Sequence, residues 1–158
     1  MTSDNKKRAS GKKTALWYTY LASTIFLAFT GFGQMPIYKR YYISDIPGLG
    51  WSANFYTTHL LHYIFSALFL GITAYVLLDY LLIKRKTVAI SLSGYIRGGV
   101  IAGLIFTGLL LVIFNLSGVF FPIWATITLL LAHMGLAMAF IAASLVTLLG
   151  RKPWTVSR

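Results

Sequence analysis

The chain has 158 residues, of which 58% are hydrophobic and 11% are charged, whereas about a quarter of the residues in soluble domains are charged. A soluble domain of this composition would expose large apolar patches to water, so the composition excludes a soluble globular protein and predicts a surface that faces lipid. The chain has 14 Lys and Arg residues and 3 Asp and Glu residues, which gives a net charge of +11. It contains no Cys, which excludes disulfides, thiolate-held iron–sulfur clusters and cysteine catalysis in this chain.

Four apolar stretches are long enough to cross a membrane, which takes about 20 helical residues. In chain order we predict a basic N-terminal segment (1–15), spans at about 16–33, 54–83, 98–116 and 122–149, an irregular outer loop between the first two spans (34–53), and a short tail (150–158). The predicted fold is an all-α integral membrane four-helix bundle that covers residues 16–149.

The positions of the basic residues predict the orientation of this bundle. They cluster before the first span, between the second and third spans and after the fourth, whereas the outer loop has only Lys39 and Arg40. Because basic residues accumulate on the cytoplasmic side of membrane proteins, we expect both termini in the cytoplasm. The first apolar stretch lacks a good cleavage site and is expected to stay as a helix. The positive charge therefore predicts topology and membrane lipid as a partner, and no nucleic acid.

All three histidines, His59, His62 and His133, fall within predicted spans, where ionisable and metal-binding side chains are costly and mark candidate functional sites. Counted inward from the outer ends of their helices, His62 lies about 13 Å deep and His133 about 16 Å deep, at 1.5 Å per residue. Neutral imidazole is a good ligand for haem iron, and two facing helices can hold a haem between them. The sequence predicts one haem b ligated by His62 and His133, with His59 as the alternative ligand.

Four further residues complete the candidate haem site. Ser66, one turn beyond the histidine of the second helix, and Gly135, two residues beyond that of the fourth, leave room for a flat macrocycle. The alternative role of such small residues is close helix packing. Lys39 and Arg40 lie where haem propionates directed to the outer surface need partners, or they form a solvated pair in the loop. The histidines themselves have an alternative role as hydrogen-bonding groups at a helix interface.

The chain resembles the four-helix cytochrome b subunits of respiratory formate dehydrogenases and nickel–iron hydrogenases. The resemblance rests on the four spans, the predicted inside termini, and the layout of His59-Leu60-Leu61-His62 at the outer start of the second helix with His133 in the fourth. It implies a multi-pass subunit of a bacterial or archaeal cytoplasmic membrane. Such a subunit anchors a peripheral iron–sulfur or multihaem protein and transfers electrons to or from menaquinone or ubiquinone. The resemblance therefore implies an electron-transfer subunit of an oxidoreductase complex, rather than a protein that is an enzyme by itself.

The chain departs from this family at the inner haem. Family members have a His near the inner end of the first helix and a second His further along the fourth, whereas the corresponding positions here include Trp17, Tyr18, Ser144 and Thr147. The resemblance therefore implies a cytochrome with a single haem and puts the usual inner quinone site in doubt. The alternative hypothesis is a haem-free structural anchor or assembly subunit of a multisubunit complex. A transporter component is disfavoured because the spans contain almost no acidic residues.

Overall fold

The computed structural model describes residues 3–35, 42–150 and 153–157. The long helices of this described part are α1 (Ser3–Gly33), α2 (Phe55–Asp79), α3 (Leu92–Phe114) and α4 (Ile123–Leu149). Two short strands, β1 (Val88–Ile90) and β2 (Thr155–Ser157), pair antiparallel. Shorter helical turns are the 3₁₀ turns Ile43–Asp45 and Gly50–Ala53 between α1 and α2, and the π-helical turn Tyr80–Lys84 after α2.

Each long helix is long and apolar enough to cross a membrane, over the segments Ala15–Gly33, Phe55–Lys84, Leu92–Phe114 and Ile123–Leu149. Few side chains of these segments are buried within the protein, and large apolar side chains such as Leu82 and Leu149 are almost fully exposed. Apolar surface of this extent is stable only under a cover of lipid or of another apolar surface. The prediction of a helical membrane protein with four spans is confirmed, and the chain is a multi-pass membrane protein.

The start of α3 differs from the predicted limit of the third span. The helix begins at Leu92 rather than near Gly98 because Ser91 caps it: the Ser91 side-chain oxygen accepts a hydrogen bond from the backbone N–H of Gly94 at 3.0 Å, which satisfies one of the free amides at a helix start. The polar and basic residues in this first part of α3 are typical of a linker between two spans. The capping serine and the pairing of β1 with β2 instead stabilise this segment as the first turns of the helix.

The chain divides into two compact units, Met1–Asp79 and Tyr80–Arg158. In the first unit α1 packs along α2, and in the second α3 packs along α4; we call these pairs the first hairpin and the second hairpin. Aromatic rings contribute to the packing of the first hairpin, where Phe26 stacks on Phe65 with ring centroids 4.4 Å apart. Ring stacking of this kind adds about 0.5–1.5 kcal/mol to the burial of the two side chains.

Buried hydroxyl side chains let the helices of the first hairpin approach each other closely. Ser23, Thr30 and Thr58 are fully buried, and each donates its hydroxyl hydrogen to a carbonyl three or four residues earlier on its own helix, at 2.7–2.9 Å. No hydroxyl hydrogen of these three is therefore left unpaired in apolar surroundings. At the end of α1, a Cβ atom added to Gly33 would lie 3.3 Å from Thr58 Cγ2. Small side chains therefore set the spacing of α1 and α2, as is common between membrane helices.

A contact that we call the C-terminal clasp, formed by residues 88–97 and 153–157, joins the start of α3 to the end of the described chain. β1 and β2 pair within it, and Ser91 donates its hydroxyl hydrogen to the Pro153 carbonyl at 2.7 Å. Arg97 is buried, and its guanidinium carbon lies 3.9 Å from the centroid of the Trp154 ring. A cation–π contact of this kind is worth about 0.5–2 kcal/mol, more when it is desolvated. The clasp ties the second hairpin together at one end.

Gly94 is the tightest position of the clasp. A Cβ atom added there would overlap the Trp154 carbonyl oxygen and would lie 2.8 Å from Ile90 Cγ2. Gly94→Ala is therefore expected to displace β2 and to lower stability by about 1–3 kcal/mol, the usual cost of overpacking. The measurement is thermal unfolding in detergent, followed by tryptophan fluorescence, in which the midpoint should fall.

Gly98→Ala is the matched control for Gly94→Ala on the same helix. A Cβ atom at Gly98 would meet no atom of the described residues within 4 Å, and alanine forms helix more readily than glycine. Its unfolding midpoint should equal or exceed that of the wild type. Equal midpoints for the two alanine variants would contradict the tight contact at Gly94.

Candidate functional site

His62 of α2 is held by two neighbouring residues of α1. The Thr30 hydroxyl oxygen lies 3.0 Å from His62 Nδ1 and 2.7 Å from the Phe26 carbonyl oxygen on its own helix. The next residue, Gly31, faces the imidazole ring, because a Cβ atom added there would lie 3.4 Å from His62 Cε1. The Thr-Gly pair of α1 thus gives the ring a hydrogen-bond partner and a close backbone surface.

His133 of α4 has the same surroundings in the second hairpin. The Thr107 hydroxyl oxygen lies 2.8 Å from His133 Nδ1 and 2.8 Å from the Gly103 carbonyl oxygen. A Cβ atom added to Gly108 would lie 3.3 Å from His133 Cε1. Each hairpin therefore presents one histidine whose ring is held by a Thr-Gly pair on the preceding helix.

The hydrogen bonds of the two threonine hydroxyls match one tautomer of the histidine rings. A hydroxyl has a single hydrogen, and Thr30 and Thr107 each donate theirs to a carbonyl one turn earlier. With that hydrogen engaged, the hydroxyl oxygen is the acceptor for the ring, which corresponds to the tautomer with the hydrogen on Nδ1 and the lone pair on Nε2. Histidines that bind metals through one nitrogen commonly donate from the other one in this way. In both rings this arrangement leaves Nε2 as the nitrogen that does not face the threonine.

His59 has a different hydrogen-bond partner from the other two histidines. Its Nδ1 lies 2.9 Å from Gln34 Oε1, and the amide nitrogen of Gln34 donates to the Thr30 carbonyl at 3.1 Å. Because the amide nitrogen is engaged there, the amide oxygen faces His59 and accepts from its Nδ1. The His59 ring lies near Phe55 and Tyr63, with ring centroids 5.3 and 4.4 Å away. His59 is therefore hydrogen-bonded to Gln34, the residue that follows α1, and not to a Thr-Gly pair.

The remaining predicted site residues lie in varied positions. Ser66 is half-buried in α2, and a Cβ atom added to Gly135 of α4 would meet no atom of the described chain within 4 Å. Lys39 and Arg40 fall outside the described residues. Within the described ranges, no group of three or more His, Asp or Glu side chains could hold a metal ion. A haem takes only its axial ligands from the protein, because the porphyrin supplies the other four.

Comparison with protein-family models, curated proteins and solved structures gives no match to the chain. The resemblance to cytochrome b subunits therefore stays a prediction.

Sequence reasoning finds the histidines of this site and misses the residues that hold them, Thr30, Gly31, Gln34, Thr107 and Gly108. A signal for four of these five is present in the sequence, because the triplet Phe-Thr-Gly occurs once in α1 (29–31) and once in α3 (106–108). Each triplet is followed, in the next helix, by a histidine and a phenylalanine seven residues apart, namely His62 with Phe69 and His133 with Phe140. Both phenylalanines are buried. The two hairpins thus share one sequence pattern.

Proposed function

We propose that the chain is a b-type cytochrome subunit in which His62 and His133 would hold one haem b. The observation that supports this most is the hydrogen bond from Nδ1 of each histidine to a threonine hydroxyl. It gives each ring an Nε2 lone pair, which is the donor that haem iron takes from histidine. Two such nitrogens are what a six-coordinate haem needs from a protein, so the residues fit the group in kind and in number.

The side chains around the two ligands have separate roles in this proposal. When bound, the haem carries single electrons by alternating between its ferric and ferrous states. Thr30 and Thr107 orient the ligating rings, and Gly31 and Gly108 let the backbone of the preceding helix approach them. The apolar residues of the spans keep water away from the rings, which affects the reduction potential of the haem.

His62 is favoured over His59 as the ligand from α2. The surroundings of His62 match those of His133, whereas His59 donates to the Gln34 amide oxygen. We propose that His59 serves as a hydrogen-bonding group for a haem propionate or a quinone oxygen. Lys39 and Arg40 remain candidate partners for the propionates.

In the cell, this subunit is proposed to anchor a peripheral iron–sulfur or multihaem protein and to exchange electrons with menaquinone or ubiquinone. The proposed location is a bacterial or archaeal cytoplasmic membrane with both chain termini in the cytoplasm. The basic run Lys84-Arg85-Lys86, between the second and third spans, supports this orientation. The chain would then be an electron-transfer part of an oxidoreductase complex.

A haem-free structural anchor is the second candidate function. Each Thr–His hydrogen bond joins two helices, and such bonds between membrane helices stabilise their packing by about 0.6–2 kcal/mol. In this role the histidines and threonines connect the helices of each hairpin and bind no cofactor. The haem content of the purified chain distinguishes this role from that of a cytochrome.

The reduced minus oxidised absorption spectrum of the full chain, purified in detergent with its bound partners, separates the two functions. The proposal predicts a sharp b-type α band after reduction with dithionite, and about one haem per chain in a pyridine haemochrome assay. The anchor predicts no band from this subunit. About two haems per chain would contradict the single-haem proposal.

A further inference from the structure

The two hairpins repeat the same contacts atom for atom. The hydroxyl oxygen lies 3.0 and 2.8 Å from histidine Nδ1, and 2.7 and 2.8 Å from the backbone carbonyl to which it donates. A Cβ atom added to the glycine that follows each threonine would lie 3.4 and 3.3 Å from the Cε1 atom of the ring. The number of residues between the threonine and its histidine differs, since they are 32 positions apart in the first hairpin and 26 in the second. The contacts are therefore preserved although the connections differ in length.

We propose that Thr30 and Thr107 are equivalent positioning residues that make His62 and His133 strong electron-donating ligands and thereby set the reduction potential of the haem. This inference rests on the proposed function. In this role the two threonines contact the histidines and not the haem iron, and they increase the electron donation from the histidines to the iron.

The physical reason is the direction of the hydrogen bond. Each threonine oxygen accepts from Nδ1–H because its own hydrogen is already donated to a carbonyl. An acceptor at Nδ1 draws the hydrogen away from the ring and raises the basicity of Nε2. A more basic ligand stabilises ferric iron, which carries the higher charge, more than ferrous iron. Loss of the acceptor should therefore raise the reduction potential.

Thr→Val substitutions separate this role from packing. Valine keeps the branched shape of threonine but has no oxygen to accept the hydrogen bond, whereas serine keeps the oxygen. Thr24→Val is the matched control on α1, since the Thr24 hydroxyl donates to the Tyr20 carbonyl at 2.9 Å. Thr147→Val is the control in the second hairpin, where the Thr147 hydroxyl donates to the Ala143 carbonyl at 2.8 Å. Both controls lose a hydroxyl that bonds to its own helix.

The experiment is a redox titration of the haem in the full chain with its partners. Thr30→Val and Thr107→Val should raise the midpoint potential, and each should weaken haem binding by about tenfold or more. A tenfold change in the ferric-to-ferrous affinity ratio corresponds to about 59 mV for one electron. Thr30→Ser and Thr107→Ser should restore the wild-type potential, and the two controls should not change it.

The outcomes distinguish failure of the inference from failure of the proposed function. Unchanged potentials in both valine variants, with haem retained, overturn the inference and leave the haem proposal standing. Absence of haem from the wild-type chain overturns both. If the valine variants lose their haem, ¹⁵N spectra of the haem-depleted wild-type and variant chains test the inference, because they show which ring nitrogen of each histidine carries the hydrogen. Nδ1–H at His62 and His133 in the wild type, lost in the variants, supports the inference, and Nε2–H in the wild type overturns it.

Discussion

His133→Ala is expected to remove haem b from the chain, and His62→Ala is expected to do the same. A b-type haem has no covalent bond to the protein, so its binding depends on the two axial nitrogens and the apolar pocket around them. On the proposed function, removing one imidazole would take away one of the two residues that hold the haem. The measurements are the α band of the reduced protein and the haem-to-protein ratio, and both should fall to background in each variant.

His59→Ala is the matched control for these substitutions. His59 lies on the same helix as His62, and its Nδ1 donates to Gln34 Oε1 at 2.9 Å. This variant should keep the haem, with at most a shift in potential or in quinone reduction. If His59→Ala loses the haem and His62→Ala keeps it, the ligand on α2 is His59. Wild-type haem content in His133→Ala would rule out the proposed ligand pair, provided that circular dichroism confirms intact helices.

Gly31→Leu and Gly108→Leu are the second pair of changes with large expected effects. A Cβ atom at these positions already lies 3.4 or 3.3 Å from the Cε1 atom of the histidine ring. A leucine side chain adds three more carbon atoms beyond this contact, so we expect it to crowd the ring and displace it from its threonine partner. We expect at least a tenfold loss of haem affinity, the usual effect of disturbing a residue that orients a metal ligand. Haem retention during detergent washing, followed by absorbance, measures it.

Gly99→Leu is the control for a leucine in α3. A Cβ atom at Gly99 meets no atom of the described residues within 4 Å, so the added side chain has space there. This variant should bind haem as the wild type does. Wild-type haem content and an unchanged spectrum in Gly108→Leu would mean that the ring does not depend on the close approach of α3.

The four helices could be predicted from sequence because an apolar stretch of about 20 residues has few alternatives to a membrane span. The strands β1 and β2 could not be predicted. Each has three residues, and their pairing joins positions as distant as Val88 and Ser157. Short strands have no periodicity of their own, and only the contact between distant segments stabilises them. The start of α3 at Leu92 precedes the apolar stretch of the third span and is ordered together with these strands.

The histidines could be predicted as site residues because ionisable side chains are rare within membranes. Thr30 and Thr107 could not be identified from their own properties, since threonine and glycine are common where membrane helices pack. Their role depends on a hydrogen bond between side chains of two helices, and that bond is visible only in the positions of atoms on both helices. The one feature of the sequence that distinguishes them is the recurrence of Phe-Thr-Gly ahead of a histidine in the next helix.

The C-terminal clasp also limits how the helices of the second hairpin can slide. At one end of this hairpin Phe114 and Phe121 stack with ring centroids 3.6 Å apart, and at the other end β1 is hydrogen-bonded to β2. If α3 moved along α4 by one helical turn, about 5.4 Å, β1 would have to pair with β2 in a different register. Each one-residue change of register turns the side chains of a strand to the opposite face of the sheet. The axial position of Thr107 relative to His133 is therefore fixed from both ends. Changes in the clasp should thus alter the position of the His133 ring relative to Thr107, although the clasp does not include either residue.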